Sequence, residues 1–519
     1  MNPTPWLRAA RLAALAALAW LLQACAQLPR PDALAHEPAL ATTPDAPLAR
    51  LAAQAPAPGL SGFRLLPGPA FAFDARLTLA REARHALDLQ YYLFRGDAPG
   101  RALLRALREA AARGVRVRLL VDDLHIDRDD ALLLAFAAQP NVQVRVFNPL
   151  AARGGGLGWR LLRSLPELRR INKRMHNKLF IADGVASVSG GRNIGAEYFM
   201  HDEDANFIDL DILSLGPVVQ AQSASFDRYW NSAHSWPLAR LAQTTAPPPG
   251  DPLAGPPLRT TGLPLDPLDR GFVSDEIAAG RLALFWAPAE VWSDLPEKID
   301  GASMAQRFAG SVTERIVGAI AASQSSVLLV SPYFIPGDIG LDLMRGAHAR
   351  GVRTLVLTNS LGATDEALVH FAYAQYRERM LQLGVELYEM GAVLSRRLTK
   401  LGNFGRSEGR LHAKLAVFDD RRLFIGSTNL DERSASLNTE VGLLIDSPEL
   451  VRDFKRLMDG DGERFRGAWR VRLDAAGRLQ WVEHDEDGTE TVLDGEPGVT
   501  PLIRLKRWLL TPLIPEELL

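Results

Sequence analysis

The amino-acid sequence predicts an α/β protein in two similar halves, and three observations carry that prediction. A strand–helix–strand pattern occurs twice, a Pro-rich stretch separates the two occurrences, and a polar motif recurs at a fixed offset. In the first half, residues 86–94 are apolar and aromatic, 102–113 place apolar positions on one helical face, and 115–121 are a β-branched run. The second half repeats the order at 327–333, 341–350 and 352–357, and both helices end in Ala-Arg-Gly-Val-Arg, from Ala112 to Arg116 and from Ala349 to Arg353. Strands alternating with helices over short connections predict mixed, largely parallel sheets covered by helices in each half. Duplication is the simplest explanation.

The remaining segments follow in order. At 519 residues, 47% hydrophobic and 23% charged, the chain is long enough for two or more domains with their own cores. A formal net charge of -2 argues against a generally basic nucleic-acid binder, so substrate charge must be sought locally. Arg8 and Arg11 precede an apolar run over 12–22 that is too short to span a bilayer comfortably and reads as a signal-peptide core. It ends at Leu22-Gln23-Ala24-Cys25, which resembles a lipobox, and Cys25 is the only cysteine, which excludes internal disulfides. A lipidated Cys25 is the expectation, against an uncleaved anchor or an incidental buried cysteine; it implies a membrane-anchored, periplasm-facing location in the cell envelope. Ala26, where an Asp would signal retention at the inner membrane, leans towards the outer membrane. Residues 26–59 read as an Ala/Pro-rich tether, 60–243 as the first domain, 244–267 as a Pro-rich linker and 268–465 as the second domain. In 466–519, residues 469–473 and 479–482 alternate around Ala475-Ala476-Gly477 like a hairpin. The tail 501–519, with Arg504, Lys506, Arg507 and Trp508 among Leu and Ile, suits an interfacial helix or one docked on the body.

The recurring motif carries the chemistry. His176-Asn177-Lys178, Asp183 and Gly190-Gly191-Arg192-Asn193 return as His412-Ala413-Lys414, Asp419 and Gly426-Ser427-Thr428-Asn429, every member displaced by 236 positions (412 minus 176, 429 minus 193). In extended backbone alternate residues share a face, so each histidine points with its lysine, and the apolar residues that follow anchor the strand in a core. Imidazole attacks phosphorus when one nitrogen is unprotonated and held by a partner, and a second imidazole protonates the leaving alkoxide. Two histidines in opposite protonation states are therefore a complete acid and base set. Lys178 and Lys414 supply cationic donors for non-bridging oxygens, and Asn193 and Asn429 neutral ones, as the phosphorus becomes five-coordinate. Lysines beside the histidines, with no carboxylate cluster alongside, argue against a hydrolytic metal site, and no cofactor is implied. Asp183 and Asp419 serve either near the half-sites or as structural hydrogen-bond and turn residues, Asp419-Asp420 looking like a hairpin tip.

These residues resemble the phospholipase D superfamily, whose motif is HxKxxxxD followed by Gly-Gly or Gly-Ser and Asn. Further stretches look like bacterial cardiolipin synthases, most closely the C type: Leu89-Gln90-Tyr91-Tyr92-Leu93-Phe94, Asn148-Pro149, Arg174-Met175, Ile194-Gly195, Tyr198-Phe199, Asp209-Leu210-Asp211, and Thr358-Asn359-Ser360-Leu361 with Asp365 and His370. The likeness runs from about residue 60 to the C-terminus. It implies two phospholipase D-like halves related by a pseudo-twofold, a catalytic cleft between them, both histidines at the interface and a covalent phosphohistidine. By analogy with relatives His176 is the nucleophile and His412 the general acid, then the base. It also implies transfer of a phosphatidyl group from a second phospholipid, phosphatidylethanolamine in the C type, to the headgroup hydroxyl of phosphatidylglycerol. The alternative on the same scaffold is a phospholipase D or phosphodiesterase that passes the intermediate to water, with nucleic acid the less favoured substrate. Glu440 matches a family position, where it orients a catalytic group or is a buried structural carboxylate. Residues 154–174, with Arg160, Arg163, Arg169, Arg170, Lys173 and Arg174 among Leu157, Trp159, Leu161 and Leu162, form a basic and apolar rim. Arg396, Arg397, Lys400, Arg406 and Arg410 similarly precede the second motif. Such rims suit anionic lipid at a membrane surface, or are solvated loops. Tyr91, Tyr198 and Tyr333 read as core or cleft wall.

Overall fold

A computed structural model describes residues 35–126, 129–152, 156–241, 250–255, 258, 266–392, 407–458, 465, 467–484, 489–499 and 503. Cys25, residues 26–34 of the tether, most of the Pro-rich linker and the tail 504–519 lie outside them.

The strands are β1 (Ser61–Leu66), β2 (Ala86–Tyr91), β3 (Arg116–Asp122), β4 (Val142–Phe147), β5 (Leu179–Ala182), β6 (Ala186–Gly190), β7 (Ala205–Ile208), β8 (Asp211–Leu215), β9 (Ser235–Pro237) and β10 (Phe285–Ala287). After them come β11 (Ala289–Ser293), β12 (Ser326–Val330), β13 (Arg353–Asn359), β14 (Glu386–Met390), β15 (Glu408–Leu411), β16 (Leu415–Phe418), β17 (Arg422–Gly426), β18 (Val441–Asp446), β19 (Ala468–Leu473), β20 (Leu479–His484) and β21 (Glu490–Leu493). One sheet runs β10-β1-β8-β6-β5-β2-β3-β4-β9 and the other β11-β18-β17-β16-β12-β13-β14-β19-β20-β21. The sheets are mixed α/β as expected, but the parallel part is smaller than expected. It is confined to β2-β3-β4 and β12-β13-β14, and every other pairing within the two sheets is antiparallel. The reason is local. Helical crossovers such as Ala98–Ala112 and Gly337–Ala349 force parallel neighbours, whereas the motif strands fold back through tight turns closed by the Val185 amide on the Ala182 carbonyl and the Arg421 amide on the Phe418 carbonyl. Those turns need positive φ at both central positions, found at Asp183 and Gly184 (53° and 64°) and at Asp419 and Asp420 (55° and 51°).

The helix Ala98–Ala112 shows how the sequence builds each layer. Asp97 caps it through the Gly100 amide at 3.1 Å, Pro99 sits in its first turn, and Leu103, Leu104, Leu107 and Ala111 recur on one buried face. Cap and proline start it four residues before the apolar pattern is visible. Between the sheets lie the helices Pro217–Trp230 and Pro448–Lys455, and the two halves share one core: Phe63, Leu179, Ile181 and Phe226 pack with Leu415, Val417, Ile445 and Phe454. The outer faces carry separate cores under Pro69–Glu82 and Ala98–Ala112 on one side, and under Val312–Ala322 and Gly337–Ala349 on the other. A two-stranded parallel ladder, β7 with β15, crosses between the halves.

Within the stretch read as a tether, residues 35–59 pack against the first half. Pro47–Ala52 is helical, with Leu48 and Leu51 buried on one face, and the Arg145 guanidinium donates to Glu37 at 2.9 Å. The Ala/Pro-rich composition hides this single i, i+3 apolar pair. The expected hairpin forms as β19–β20, and it extends the second sheet because β19 pairs with β14.

Candidate active site

Both His-x-Lys segments are extended backbone just ahead of a strand, His176 and Lys178 before β5 and His412 and Lys414 before β16. Each is held by the other half. The His176 amide donates to the Thr439 carbonyl at 2.9 Å, and the His412 amide to the Ile208 carbonyl at 2.8 Å. The same crossing recurs at the side chains. His176 Nδ1 lies 3.0 and 3.1 Å from the Glu440 oxygens, and His412 Nδ1 lies 2.6 Å from Asp209 Oδ2. A carboxylate only accepts, so each Nδ1 carries the hydrogen and each Nε2 is left for chemistry. Neither histidine is complete without the opposite half. Tyr92 meets the His176 ring edge-on at 5.0 Å, and Tyr198 and Phe207 wall His412 at 5.2 and 4.6 Å. Lys178 Nζ and Lys414 Nζ donate to the carbonyls of their own histidines at 2.7 and 2.5 Å.

The glycines and asparagines of the motif position the carboxylates and the cleft walls. A Cβ at Gly191 would collide with the Asp209 carboxylate, and one at Gly190 would sit 2.5 Å from Asp211 Oδ1 and the Leu210 carbonyl. Gly426 is equally confined, 2.5 Å from the Val441 carbonyl. At the position equivalent to Gly191, Ser427 instead donates to Glu440 Oε2, while Ser434 donates to Oε1 at 3.0 Å. The Asn193 amide is committed to the wall: it donates to Tyr198 OH at 2.9 Å and accepts the Leu93 amide at 3.2 Å. Asn429 is buried at the corresponding place. Asp183 and Asp419 are not with the histidines. They stand at the far ends of β5 and β16, where Asp183 accepts the amides of Arg84, His85 and Ala86 and Asp419 those of Gln324, Ser325 and Ser326. Of the two roles open to them, the geometry matches the structural one, tying each hairpin tip to the start of a central strand.

Residues 77–230 and 316–461 match the family described as cardiolipin synthase, phospholipase D-like domain. The chain belongs to that cardiolipin synthase family. It is 36% identical to cardiolipin synthase C of Escherichia coli, over 85% of this chain and 93% of the relative, and 26% identical to cardiolipin synthase 1 of Staphylococcus aureus, over 75% and 65%. Its fold is that of the phosphatidylserine synthase of Haemophilus influenzae, with a TM-score of 0.54 at 13% identity over 89% of this chain and 97% of that one.

In this cardiolipin synthase family member the residue that sequence reasoning missed as a site residue is Asp209. It stands just before β8 as Glu440 stands just before β18, so the signal was the equivalence of those strands. The constant offset concealed it, because Asp209 follows Asn193 by 16 positions whereas Glu440 follows Asn429 by 11.

Electrostatics separates the two half-sites. His176 is held well below the ordinary imidazole value by burial, then by Lys178, Lys414 and His412, which places the other half-site within its electrostatic reach. Burial and Lys414 lower His412 to about 4 against the pull of Asp209. Burial brings Lys178 well below the usual lysine range and Lys414 to about 8. The carboxylates diverge. Burial raises Glu440 to about 7, whereas at Asp209 burial is outweighed by His412, Lys414 and Arg192, which keep it ionised. The site is thus dense in cation-capable groups, and a phosphodiester bound among them favours their protonated forms. Among the described residues no three or more His, Cys, Asp or Glu are grouped to hold a metal ion.

The rim before the first motif is helical over Gly156–Arg163 and Leu168–Ile171. Trp159, Leu162 and Leu168 are exposed there, whereas Arg160 is buried against Asp123 at 2.8 Å and Arg174 against Asp122 at 3.0 Å. Those two arginines are structural. Arg396, Arg397, Lys400 and Arg406 lie outside the described residues, and among these residues no helix is long and apolar enough to cross a membrane.

Proposed function

We propose that the protein is a phosphatidyltransferase that makes cardiolipin from phosphatidylglycerol and a second phospholipid through a phosphohistidine on His176. The observation that carries this reading is the crossed pair of His–carboxylate contacts, His176 with Glu440 and His412 with Asp209, each beside a lysine. His176 Nε2 attacks the phosphorus, the bond to the headgroup oxygen breaks, and His412 gives that oxygen its proton. The headgroup alcohol leaves and a phosphatidyl–His176 bond remains. His412, now neutral, takes the proton from the primary hydroxyl of phosphatidylglycerol, whose oxygen attacks phosphorus and releases His176. Lys178 and Lys414 neutralise the non-bridging oxygens throughout.

The order of the histidines rests on their carboxylates. An ionised Asp209 stabilises an imidazolium at His412, as an acid requires, while a Glu440 near 7 beside a neutral His176 suits a nucleophile. Asp183 and Asp419 brace the hairpins that aim the motif strands. The donor is phosphatidylethanolamine or a second phosphatidylglycerol. The exposed Trp159, Leu162 and Leu168 with Arg163 and Arg169 engage an anionic lipid surface beside the cleft. A lipidated Cys25 anchors the enzyme in the cell envelope, facing the periplasm, with the outer membrane favoured.

The test incubates purified protein with labelled phosphatidylethanolamine and phosphatidylglycerol and resolves the lipid products by mass. Cardiolipin is expected; phosphatidic acid alone would replace transfer with hydrolysis, and cleavage of DNA in chelator would make the protein a nuclease. Palmitate labelling of wild type but not of Cys25→Ser is the expected result for the anchor.

A further inference from the structure

The transferase chemistry leaves one polar pair at the cleft without a role. Tyr333 OH donates to Asp365 Oδ2 at 2.8 Å. Tyr333 follows β12, and its neighbour Phe334 bridges to Leu430, the residue after Asn429 of the second motif. Asp365 lies on the loop leaving β13, whose last residue, Asn359, accepts the Leu411 amide at 2.9 Å beside His412. The loop is held firmly. Thr364 accepts the Glu366 amide at 3.1 Å, the helix Ala367–Tyr373 follows, and its buried His370 meets Glu496 at 2.6 Å. Asp365 is exposed, and the Asn359–Leu411 bond at the root of its loop sets that loop on the His412 side of the site.

That side has a defined chemical meaning. In an in-line displacement at phosphorus the leaving oxygen departs opposite the nucleophile, and the acceptor oxygen enters along the same line. With His176 as nucleophile, both alcohols pass beside His412. Groups around His176 then touch the phosphate and diacylglycerol, and groups around His412 touch the headgroup.

Resting on the transferase reading, we infer that Asp365, oriented by Tyr333, selects the headgroup alcohol by accepting a hydrogen bond from its second polar group, a glycerol hydroxyl or an ethanolamine ammonium. A carboxylate there accepts from either donor and repels an anionic headgroup. It gives the intermediate a reason to prefer a polyol or amino alcohol over water.

The full-length enzyme is given phosphatidylglycerol vesicles with isotope-labelled free glycerol, ethanolamine or 1-propanol as competing acceptors, and KM and kcat are measured for each labelled exchange product. Wild type is expected to prefer glycerol and ethanolamine to propanol. Asp365→Asn is expected to raise KM for the two bifunctional alcohols about tenfold, with a smaller change in kcat and in the propanol reaction. A larger loss for ethanolamine assigns charge pairing with the ammonium, and equal losses assign hydrogen bonding that either donor supplies. Tyr333→Phe, with a melting temperature near wild type, is expected to shift KM the same way by a smaller factor. A folded Asp365→Asn enzyme with wild-type KM values and preference overturns the inference. Wild-type enzyme yielding only phosphatidic acid overturns the transferase reading instead.

Discussion

His176 leans on Glu440, a long carboxylate that also takes hydroxyl hydrogen bonds from Ser427 and Ser434, whereas His412 leans on Asp209, a shorter one that fits because Gly191 has no side chain. The histidine, lysine and asparagine of the motif recur in both halves, so each half supplies an equivalent imidazole–lysine pair. What differs is the layer behind them. Glu440 sits near neutrality under its burial, and Asp209 stays ionised among His412, Lys414 and Arg192. On the proposed mechanism, a symmetric scaffold acquires an acid and a nucleophile by changing the carboxylates, not the histidines.

The largest expected effects come from the histidines. His176→Ala is expected to cut steady-state turnover by about 10^4-fold or more, and His412→Ala by a similar factor for natural lipids. The comparison sharpens with a p-nitrophenyl phosphodiester, whose leaving group needs no proton. A burst of nitrophenol from His412→Ala and none from His176→Ala is the expected pattern, and the reverse would exchange their roles. Next come the carboxylates. Asp209→Asn and Glu440→Gln are each expected to cost about 10^2 to 10^4 in kcat with natural lipid, and only Asp209→Asn should recover with the activated ester.

Smaller effects distinguish the supports of the carboxylates. Gly191→Ala pushes on the Asp209 carboxylate and is expected to lower kcat about a hundredfold. Ser427→Ala leaves Glu440 with its Ser434 bond and is expected to cost about tenfold, with about 1–3 kcal/mol of stability lost because the Val441 amide also loses its acceptor. Kinetics and thermal melting of both variants check this ranking. The smallest effect is on pH dependence. Below pH 7 Glu440 gains a proton and no longer offsets the positive charge that His176 acquires on phosphorylation. Single-turnover formation of the intermediate should therefore rise with pH through about 7, and Glu440→Gln should remove that limb. A flat wild-type profile between pH 5.5 and 8.5 would break the link between Glu440 and His176.

Much of this architecture is written in short-range pattern. The paired motif and the helical crossovers follow from spacing that survives duplication. The crossed carboxylates were harder to see. Glu440 was visible only through family resemblance, and Asp209 fell out of register because the connection after Asn193 is longer than that after Asn429. Long-range pairing also escaped local pattern: antiparallel neighbours such as β1 and β8 depend on contacts between residues 62–66 and 211–215. Leu48 and Leu51 bury a segment that composition alone makes look unstructured. Asp183 and Asp419 sit inside the motif yet act on backbone amides at distant strand starts, and spacing does not tell a ligand of the phosphate from a brace of the strand.

The unequal division of labour is tested most directly by locating the phosphorus. Enzyme mixed with phosphorus-labelled phosphatidylglycerol and quenched in alkali, where phosphohistidine survives, is digested and the labelled peptide sequenced by mass spectrometry. Label on His176 in the wild type, increased in His412→Ala, is the predicted result; label on His412, or on both histidines equally, would contradict it.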